Sequence, residues 1–217
     1  MDPASDPDDI CHYAEAMTRP DKDKPVVLSR IYTRVGDDGT TALSDMSRTS
    51  KTDLRLAAYA DVEEANAHLG LSLAFGTLPA ELTEVLRLVQ NELFDVGADL
   101  ATPVTEHPEF PPLRVEQSYI DRLEELCDRF NAGLKPLRSF ILPGGDPATA
   151  ALHVARVTVR RAERTTWAAL QAHDDMNPLT AKYLNRLSDL LFIACRVAHG
   201  GEEILWKPGG TRQATSR

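Results

Sequence analysis

The chain has few cysteines, and they are far apart. Its 217 residues contain three of them, Cys11, Cys127 and Cys195, with no CxxC pair among them. Such spacing excludes a disulfide framework of the kind that small secreted domains use, and it fits a reducing compartment. We therefore expect a cytoplasmic protein, in which Cys127 and Cys195 serve as small core residues within helices.

Long apolar runs are also lacking, so the sequence predicts no membrane span. Residues 1–27 are acidic and interrupted by prolines, without the apolar core of a secretory signal, and we expect a flexible tail there. A net charge of -9 argues against a nucleic-acid partner, because such binding depends on neutralising phosphates. The 42% hydrophobic content is enough for one packed domain, which we place at 28–209, with a flexible end at 210–217.

Several catalytic motifs are missing as well. The chain has no Glu-x-x-His pair, no HExxH and no Gly-x-Ser-x-Gly. Their absence excludes a di-metal carboxylate bundle, a zinc protease and an α/β-hydrolase. We expect His68 and His153 to be packing or capping residues, and we predict no metal site built by the protein itself.

Apolar residues recur at three- and four-residue steps along most of the chain, which is typical of amphipathic helices. The segment at 26–53, rich in Gly, Thr, Ser and Asp, is predicted to be a loop. The remainder predicts an all-α five-helix bundle. The five expected helices cover 54–75, 80–100, 116–132, 147–172 and 179–199.

The helix at 147–172 carries an unusual row of cations. Asp146 and Pro147 are suited to begin it, as N-cap and first helical residue. Arg156, Arg160 and Arg164, which we call the arginine stripe, then recur every four residues, a spacing at which like charges repel. One interpretation is a site for a phosphate chain, whose oxygens suit the guanidinium group. The other is a solvated basic face or a ladder of ion pairs between helices.

Two further segments could bind parts of a nucleotide. The loop at 33–41 combines glycines with hydroxyl groups and could wrap a phosphate chain, with Lys51 near by; alternatively it is an ordinary Asp-Gly turn. It is not a Walker A motif. Asn185 and Asp189 lie one helical turn apart and could hold a ribose or base edge or orient an arginine. Alternatively, they form a helix–helix hydrogen bond or a salt bridge. Together these features predict recognition of a polyphosphate and a nucleoside, with the reaction left open.

The same segments resemble one enzyme family. They follow the family order and cover most of 28–209. The phrasing of LSDMSRTSKTD (43–53) and YADVEEAN (59–66) is similar to actinobacterial members. On this basis the chain resembles the PduO-type ATP:cob(I)alamin adenosyltransferases. The matching pieces are IYTRVGDDGTT (31–41), SKTDLRLAAYADVEEAN (50–66), QNELFDVGADLATP (90–103), FILPGG (140–145), ALHVARVTVRRAER (151–164), YLNRLSDLLF (183–192) and ILWKPG (204–209).

The resemblance implies a ferritin-like up-down bundle that forms trimers, with active sites between neighbouring subunits. It implies transfer of the 5′-deoxyadenosyl group of ATP to the cobalt of reduced cobalamin, giving adenosylcobalamin and triphosphate, with Mg²⁺ accompanying ATP. It also suggests a reductase and a cobalamin-dependent mutase as partners, the mutase receiving the product.

The resemblance also assigns roles to residues. Phe140 would close off the lower face of the corrin, and Arg156 would pair with a carboxylate across the subunit interface. Glu63 and Asp189 are the other residues that the resemblance implies at the corrinoid and the interface. Arg160 would act on the leaving triphosphate, which makes Arg160, Arg156 and Phe140 the catalytic candidates. The implied ATP ligands are Thr33, Arg34, Gly36, Thr41 and Lys51 from one subunit, with Arg160, Arg161, Glu163, Arg164 and Asn185 from its neighbour.

Two positions depart from the family pattern. Glu63 stands where an aspartate is expected to pair with Arg156, which adds one methylene to that contact. Asp38 stands where lysine is frequent, which removes a phosphate contact.

Two other functions are compatible with the residues. A cobalamin carrier would bind corrinoid without needing ATP. A nucleotide-sensing or purely structural trimer would cause no spectral change in reduced cobalamin.

Overall fold

The fold consists of five long helices and one short hairpin. The computed structural model describes residues 34–108 and 111–210, and the chain divides into two units, 1–36 and 37–217. The predicted tail at 1–27 and residues 211–217 lie outside the described part. Within the second unit, the described elements are β1 (Thr40–Ala42), β2 (Arg48–Ser50), α1 (Leu54–Ala74), α2 (Ala80–Leu100), α3 (Gln117–Asn131), α4 (Pro147–Ala172) and α5 (Leu179–Ala198).

The all-α prediction is confirmed, and each helix end lies within one residue of its predicted position. The side of α4 that faces the core carries Leu152, Ala155, Val159 and Ala162, which are fully buried. None of the described helices is long and apolar enough to cross a membrane.

The prediction of an unstructured loop at 26–53 was wrong for part of its length. β1 and β2 pair in antiparallel register, with Thr41 opposite Thr49. Asp38 shapes the entry to β1, since its carboxylate accepts hydrogen bonds from the Thr40 N–H and hydroxyl at 3.0 and 2.8 Å. Threonine favours strands, but three-residue strands are too short for an alternating pattern to be recognised in sequence.

α1 and α4 pack antiparallel as the central pair of the bundle. At one end, the Ser72 hydroxyl near the end of α1 donates to the Ala148 carbonyl at the start of α4, at 2.8 Å. At the other end, Arg55 at the start of α1 pairs with Asp175, just after α4. The start of α4 is therefore held against the end of α1, and the end of α4 lies beside the start of α1.

Asp53 joins the hairpin to the end of α4. As the N-cap of α1, it accepts a hydrogen bond from the Arg55 N–H at 2.7 Å. Its carboxylate also accepts from the Thr49 hydroxyl at 3.1 Å and lies 2.9 Å from Nε2 of His173. The Asp53 carboxylate thus links β2 to the C-terminal end of α4. Lys51 lies between β2 and Asp53 in sequence, so it is held near that end as well.

α4 begins at the residues that the sequence indicated. The Asp146 carboxylate accepts hydrogen bonds from the N–H groups of Ala148 and Thr149, at 2.9 and 3.2 Å, and from the Thr149 hydroxyl at 2.7 Å. The hydroxyl hydrogen bond is the main reason why the pKa of Asp146 lies below its usual 3.8. Pro147 follows as the first helical residue, where its missing N–H leaves no hydrogen bond unmade.

We expect Asp146→Ala to lower the free energy of unfolding by about 1 kcal/mol at neutral pH, which is typical of a lost N-cap. Since the folded-state pKa is lowered, the charged cap stabilises the fold above pH 3.8, and this contribution is lost as pH falls through the folded-state pKa. Urea unfolding followed by circular dichroism, at neutral pH and at a series of acid pH values, checks this.

The control is Asp146→Asn, which caps without a charge and should stay close to wild type at neutral pH. Equal urea midpoints for Asp146→Ala and wild type at neutral pH would contradict the assignment of the cap.

Candidate functional site

The arginine stripe lies on the outside of α4, and two of its members have no partner among the described residues. Arg160 and Arg164 are exposed and make no hydrogen bond or ion pair there. Arg156 packs against α5, with its Cζ 5.9 Å from the centroid of the Phe192 ring, and its buried Nε lacks a hydrogen-bond partner. Within residues 34–108 and 111–210, the stripe therefore forms no ion-pair ladder. Its charges are open to an anion or to water.

Arg161 behaves differently from its neighbours on the helix. Its Nε donates to Asp61 at 3.0 Å, and its guanidinium also pairs with Glu64, both on α1. Asp61 accepts a further hydrogen bond from the Thr165 hydroxyl at 2.6 Å. A residue that the resemblance gave to ATP thus connects α4 to α1 within one protomer.

The polar residues predicted on the last helix take separate partners. The Asn185 amide donates to Glu163 at 3.0 Å, which brings two predicted ATP ligands together beside the arginine stripe. Asp189 accepts from Arg186 on its own helix at 2.7 Å. The helix–helix hydrogen bond considered for Asn185 is therefore present.

The hairpin places Thr41 and Lys51 far from the stripe of the same protomer. The contact of Asp53 with His173 holds the hairpin thirteen residues beyond Arg160 along α4, or about 20 Å at 1.5 Å per residue. Lys51 is exposed there, and its N–H donates to the Gly39 carbonyl at 2.9 Å. Along the axis of α4, Lys51 therefore lies toward the C-terminal end, away from Arg160 of the same protomer.

The remaining candidates of this loop lie in the first unit or outside the description. Thr33 is outside the described residues. Arg34 and Gly36 belong to the unit at 1–36, and Arg34 has a φ of 61°, an uncommon value for a residue other than glycine.

An aromatic cleft lies at the opposite end of α4. Phe140 is 73% exposed, and its ring centroid is 6.3 Å from that of Trp206, with 49° between the ring planes. The cleft has a volume of about 490 Å³ and is lined by Leu137, Arg138, Ser139, Phe140, Phe192, Trp206 and Pro208. Because the Phe192 ring also contacts Arg156, the cleft and the arginine stripe are continuous.

Two titratable side chains beside Arg156 are held in their neutral forms. Burial, together with the Arg156 charge, holds the pKa of His153 below its usual value. Burial raises the pKa of Cys195 to about 12, so its thiol stays protonated at neutral pH. Among the described residues, no group of three or more His, Cys, Asp or Glu side chains is placed to hold a metal ion. The site offers cations and apolar surface.

Comparison with known proteins identifies the family. The profile of the cobalamin adenosyltransferases matches residues 31–198. The chain belongs to this family.

Named relatives match most of the chain. The corrinoid adenosyltransferase of Mycobacterium tuberculosis (strain H37Rv) is 63% identical over 191 residues, which are 88% of this chain and 99% of that protein. The corrinoid adenosyltransferase of Bacillus subtilis is 39% identical over 173 residues, 78% of this chain and 86% of the relative. A variant PduO-type ATP:corrinoid adenosyltransferase from Lactobacillus reuteri, solved with cobalamin and ATP, is 34% identical with a TM-score of 0.75, over 82% and 99% of the two chains.

Two residues of this adenosyltransferase cleft were not selected from the sequence. Phe192 follows a run of buried leucines in α5 and has the pattern of one more core residue, yet it is half-buried at the cleft. Trp206 lies outside the helices, where periodicity gives no information. The signal that the sequence offered was a tryptophan in a segment ending in Pro-Gly.

We expect Arg160→Ala to leave the free energy of unfolding within about 0.5 kcal/mol of wild type, since Arg160 contacts no partner in the described protomer. Arg161→Ala should lower it by up to about 1 kcal/mol, because Asp61 and Glu64 lose an exposed ion pair. Urea unfolding of both variants at low and high salt checks this, and the Arg161 effect should shrink with salt. A larger loss in Arg160→Ala than in Arg161→Ala would contradict the described pairing.

Proposed function

We propose that this chain is an ATP:cob(I)alamin adenosyltransferase. It transfers the 5′-deoxyadenosyl group of ATP to the cobalt of reduced cobalamin and releases triphosphate. The observation that carries this proposal is the order of groups along α4: the aromatic cleft, then Arg156, then the unpaired Arg160 and Arg164. A corrin at the cleft and a triphosphate at the arginines would place the ribose carbon between them.

The chemistry needs no nucleophile from the protein. The cobalt of cob(I)alamin supplies an electron pair and forms the Co–C bond at C5′ of ATP. The C5′–O bond breaks, and its electron pair leaves with the triphosphate. The protein has to hold C5′ in line with cobalt and stabilise the charge that grows on the leaving group.

Arg160 and Arg164 suit the second task because their guanidinium groups bind phosphate oxygens in pairs and stay charged. Lys51 adds a compact charge from the hairpin. Mg²⁺ that enters with ATP would neutralise part of the same charge.

Phe140 and Phe192 suit the lower face of the corrin. Their rings make that side of the cleft apolar, so water and a lower axial ligand would be kept from the cobalt. A cobalt that lacks the axial ligand is easier to reduce to the nucleophilic state. Arg156 adjoins this region, and its buried Nε has no hydrogen-bond partner in the part of the chain that the structure describes. A carboxylate from a neighbouring subunit would satisfy it. We expect Glu63, which is exposed on α1, to be that carboxylate, because it stands at the position where the family resemblance implies the partner of Arg156.

We infer that each site is completed by a second subunit of a homotrimer. The separation of about 20 Å between the hairpin and Arg160 along α4 supports this, because one triphosphate bridges them more easily when they come from different protomers. On the subunit that supplies the hairpin, the resemblance implies further contacts from Thr33, Arg34, Gly36 and Thr41. On the neighbouring subunit, which supplies the arginine stripe, it implies contacts from Arg161, Glu163, Asn185 and Asp189. A reductase, a client mutase and a cytoplasmic location stay predictions.

We expect Arg160→Ala to lower kcat by about 100-fold or more, as for other preorganised donors to a developing charge. The kcat of Arg160→Lys should lie between those of Arg160→Ala and wild type, since an ammonium group binds one phosphate oxygen at a time. The measurement follows the visible spectrum of chemically reduced cobalamin with ATP and Mg²⁺ as the Co–C bond forms. Arg87→Ala, which removes an exposed arginine from α2, is the matched control. Wild-type turnover by Arg160→Ala would reject the assigned role.

A shared site also predicts complementation between two inactive variants. Lys51→Ala and Arg160→Ala damage opposite halves of the site, so mixed trimers contain some sites with both residues intact. After co-refolding at equal amounts, random assembly should leave about one quarter of the sites intact. Turnover and sedimentation of the mixture check this. Mixed trimers without any recovered turnover would contradict a site built from two subunits.

A further inference from the structure

The chain after α5 folds back over the segment that precedes α4. We call Glu203–Trp206 the strap. The Leu142 N–H donates to the Ile204 carbonyl at 2.8 Å, and the Trp206 N–H donates to the Phe140 carbonyl at 2.7 Å, in an isolated antiparallel bridge. The Ser139 hydroxyl also donates to the Trp206 carbonyl at 2.6 Å. The backbone on both sides of Phe140 is thus held by the strap.

A buried arginine anchors both partners of this bridge. Arg196, in the last turn of α5, is 5% exposed. Its Nε donates to the Glu203 carboxylate at 2.6 Å, and its Nη2 donates to the Lys135 carbonyl at 2.7 Å. One guanidinium therefore fixes the start of the strap and the start of the segment that leads to Phe140. Breaking a pair this deeply buried is costly, so the strap is a built part of the fold.

The side chain at the end of the strap contacts Phe140. The Trp206 ring is 47% exposed, and it lies at 6.3 Å from the Phe140 ring in a tilted arrangement. Aromatic pairs at this separation prefer defined orientations. Phe140 has no other aromatic ring paired with it among the described residues. Without Trp206, the backbone of Phe140 would stay in place while its exposed ring could turn about its side-chain bonds.

We propose that Trp206 is a positioning residue that holds the Phe140 ring in the orientation that covers the lower face of the corrin. This inference rests on the proposed function. It gives the strap a role in the reaction: it would set how completely the cobalt is shielded from an axial ligand. The arginines proposed to bind the triphosphate lie further along α4. A substitution of Trp206 should therefore change KM for the corrinoid and leave KM for ATP unchanged.

The test compares Trp206→Leu, which keeps apolar bulk without an aromatic face, with Trp206→Phe, which restores a ring. Phe94→Ala is the control, because Phe94 on α2 is as exposed as Phe140, at 74%, and lies outside the cleft. We expect Trp206→Leu to raise KM for the corrinoid by about two- to tenfold, the range of an aromatic pair. KM for ATP should change by less than about twofold. Trp206→Phe should recover most of the loss.

Electron paramagnetic resonance of bound cob(II)alamin with ATP gives the decisive signature, since the spectrum reports the axial ligand of cobalt. A larger axially ligated fraction in Trp206→Leu than in wild type, reduced again in Trp206→Phe, would support the proposal. Equal spectra and equal KM values in folded Trp206→Leu and wild type would overturn it. If wild-type protein itself neither binds cob(II)alamin nor forms the Co–C bond, the proposed function fails instead. Thermal unfolding of all three variants separates a loss of fold from a turned ring.

Discussion

Three like charges on one helix face are the constraint around which this protein is arranged. Arg156, Arg160 and Arg164 repel each other at four-residue spacing, and an isolated helix with this row would be weakened. The bundle offsets this by burying the opposite face of α4 among the other helices and by capping its first turn with Asp146. The cost of holding the cations close together is met by packing, so the charges need no partner inside the protomer.

Packing also explains why neighbouring arginines differ so sharply. Arg160 and Arg161 are adjacent in sequence, but a step of one residue turns the helix by about 100°. That rotation moves Arg161 to the side of α1, where Asp61 and Glu64 receive it, while Arg160 stays on the open face. Two adjacent arginines thus differ in role: Arg161 forms ion pairs with α1, and Arg160 remains available to an anion. The angular position of each residue relative to the neighbouring helix determines which it becomes.

Most of the fold could be predicted because its signals are local. Asp146 and Pro147 mark the start of α4, and the apolar periods set the helix faces. The hairpin was missed because its strands are three residues long. Phe192 and Trp206 could not be assigned to a cleft because their meeting depends on a strap that returns from the far end of α5. The pairing of Arg161 with Asp61 joins positions a hundred residues apart, and helical periodicity carries no information at that range. The complete set of expected ATP ligands came from the family resemblance, because local patterns indicated only part of that set.

Lys51 lies beside the C-terminal end of α4, away from Arg160 of the same chain, and this separation has a thermodynamic consequence. If one nucleotide is gripped by two chains, then its binding and the association of those chains are linked equilibria, and each strengthens the other by the same free energy. ATP would then act as a cross-link as well as a substrate. Specific activity would depend on dilution, and release of triphosphate would loosen the contact that had just been used to make the product.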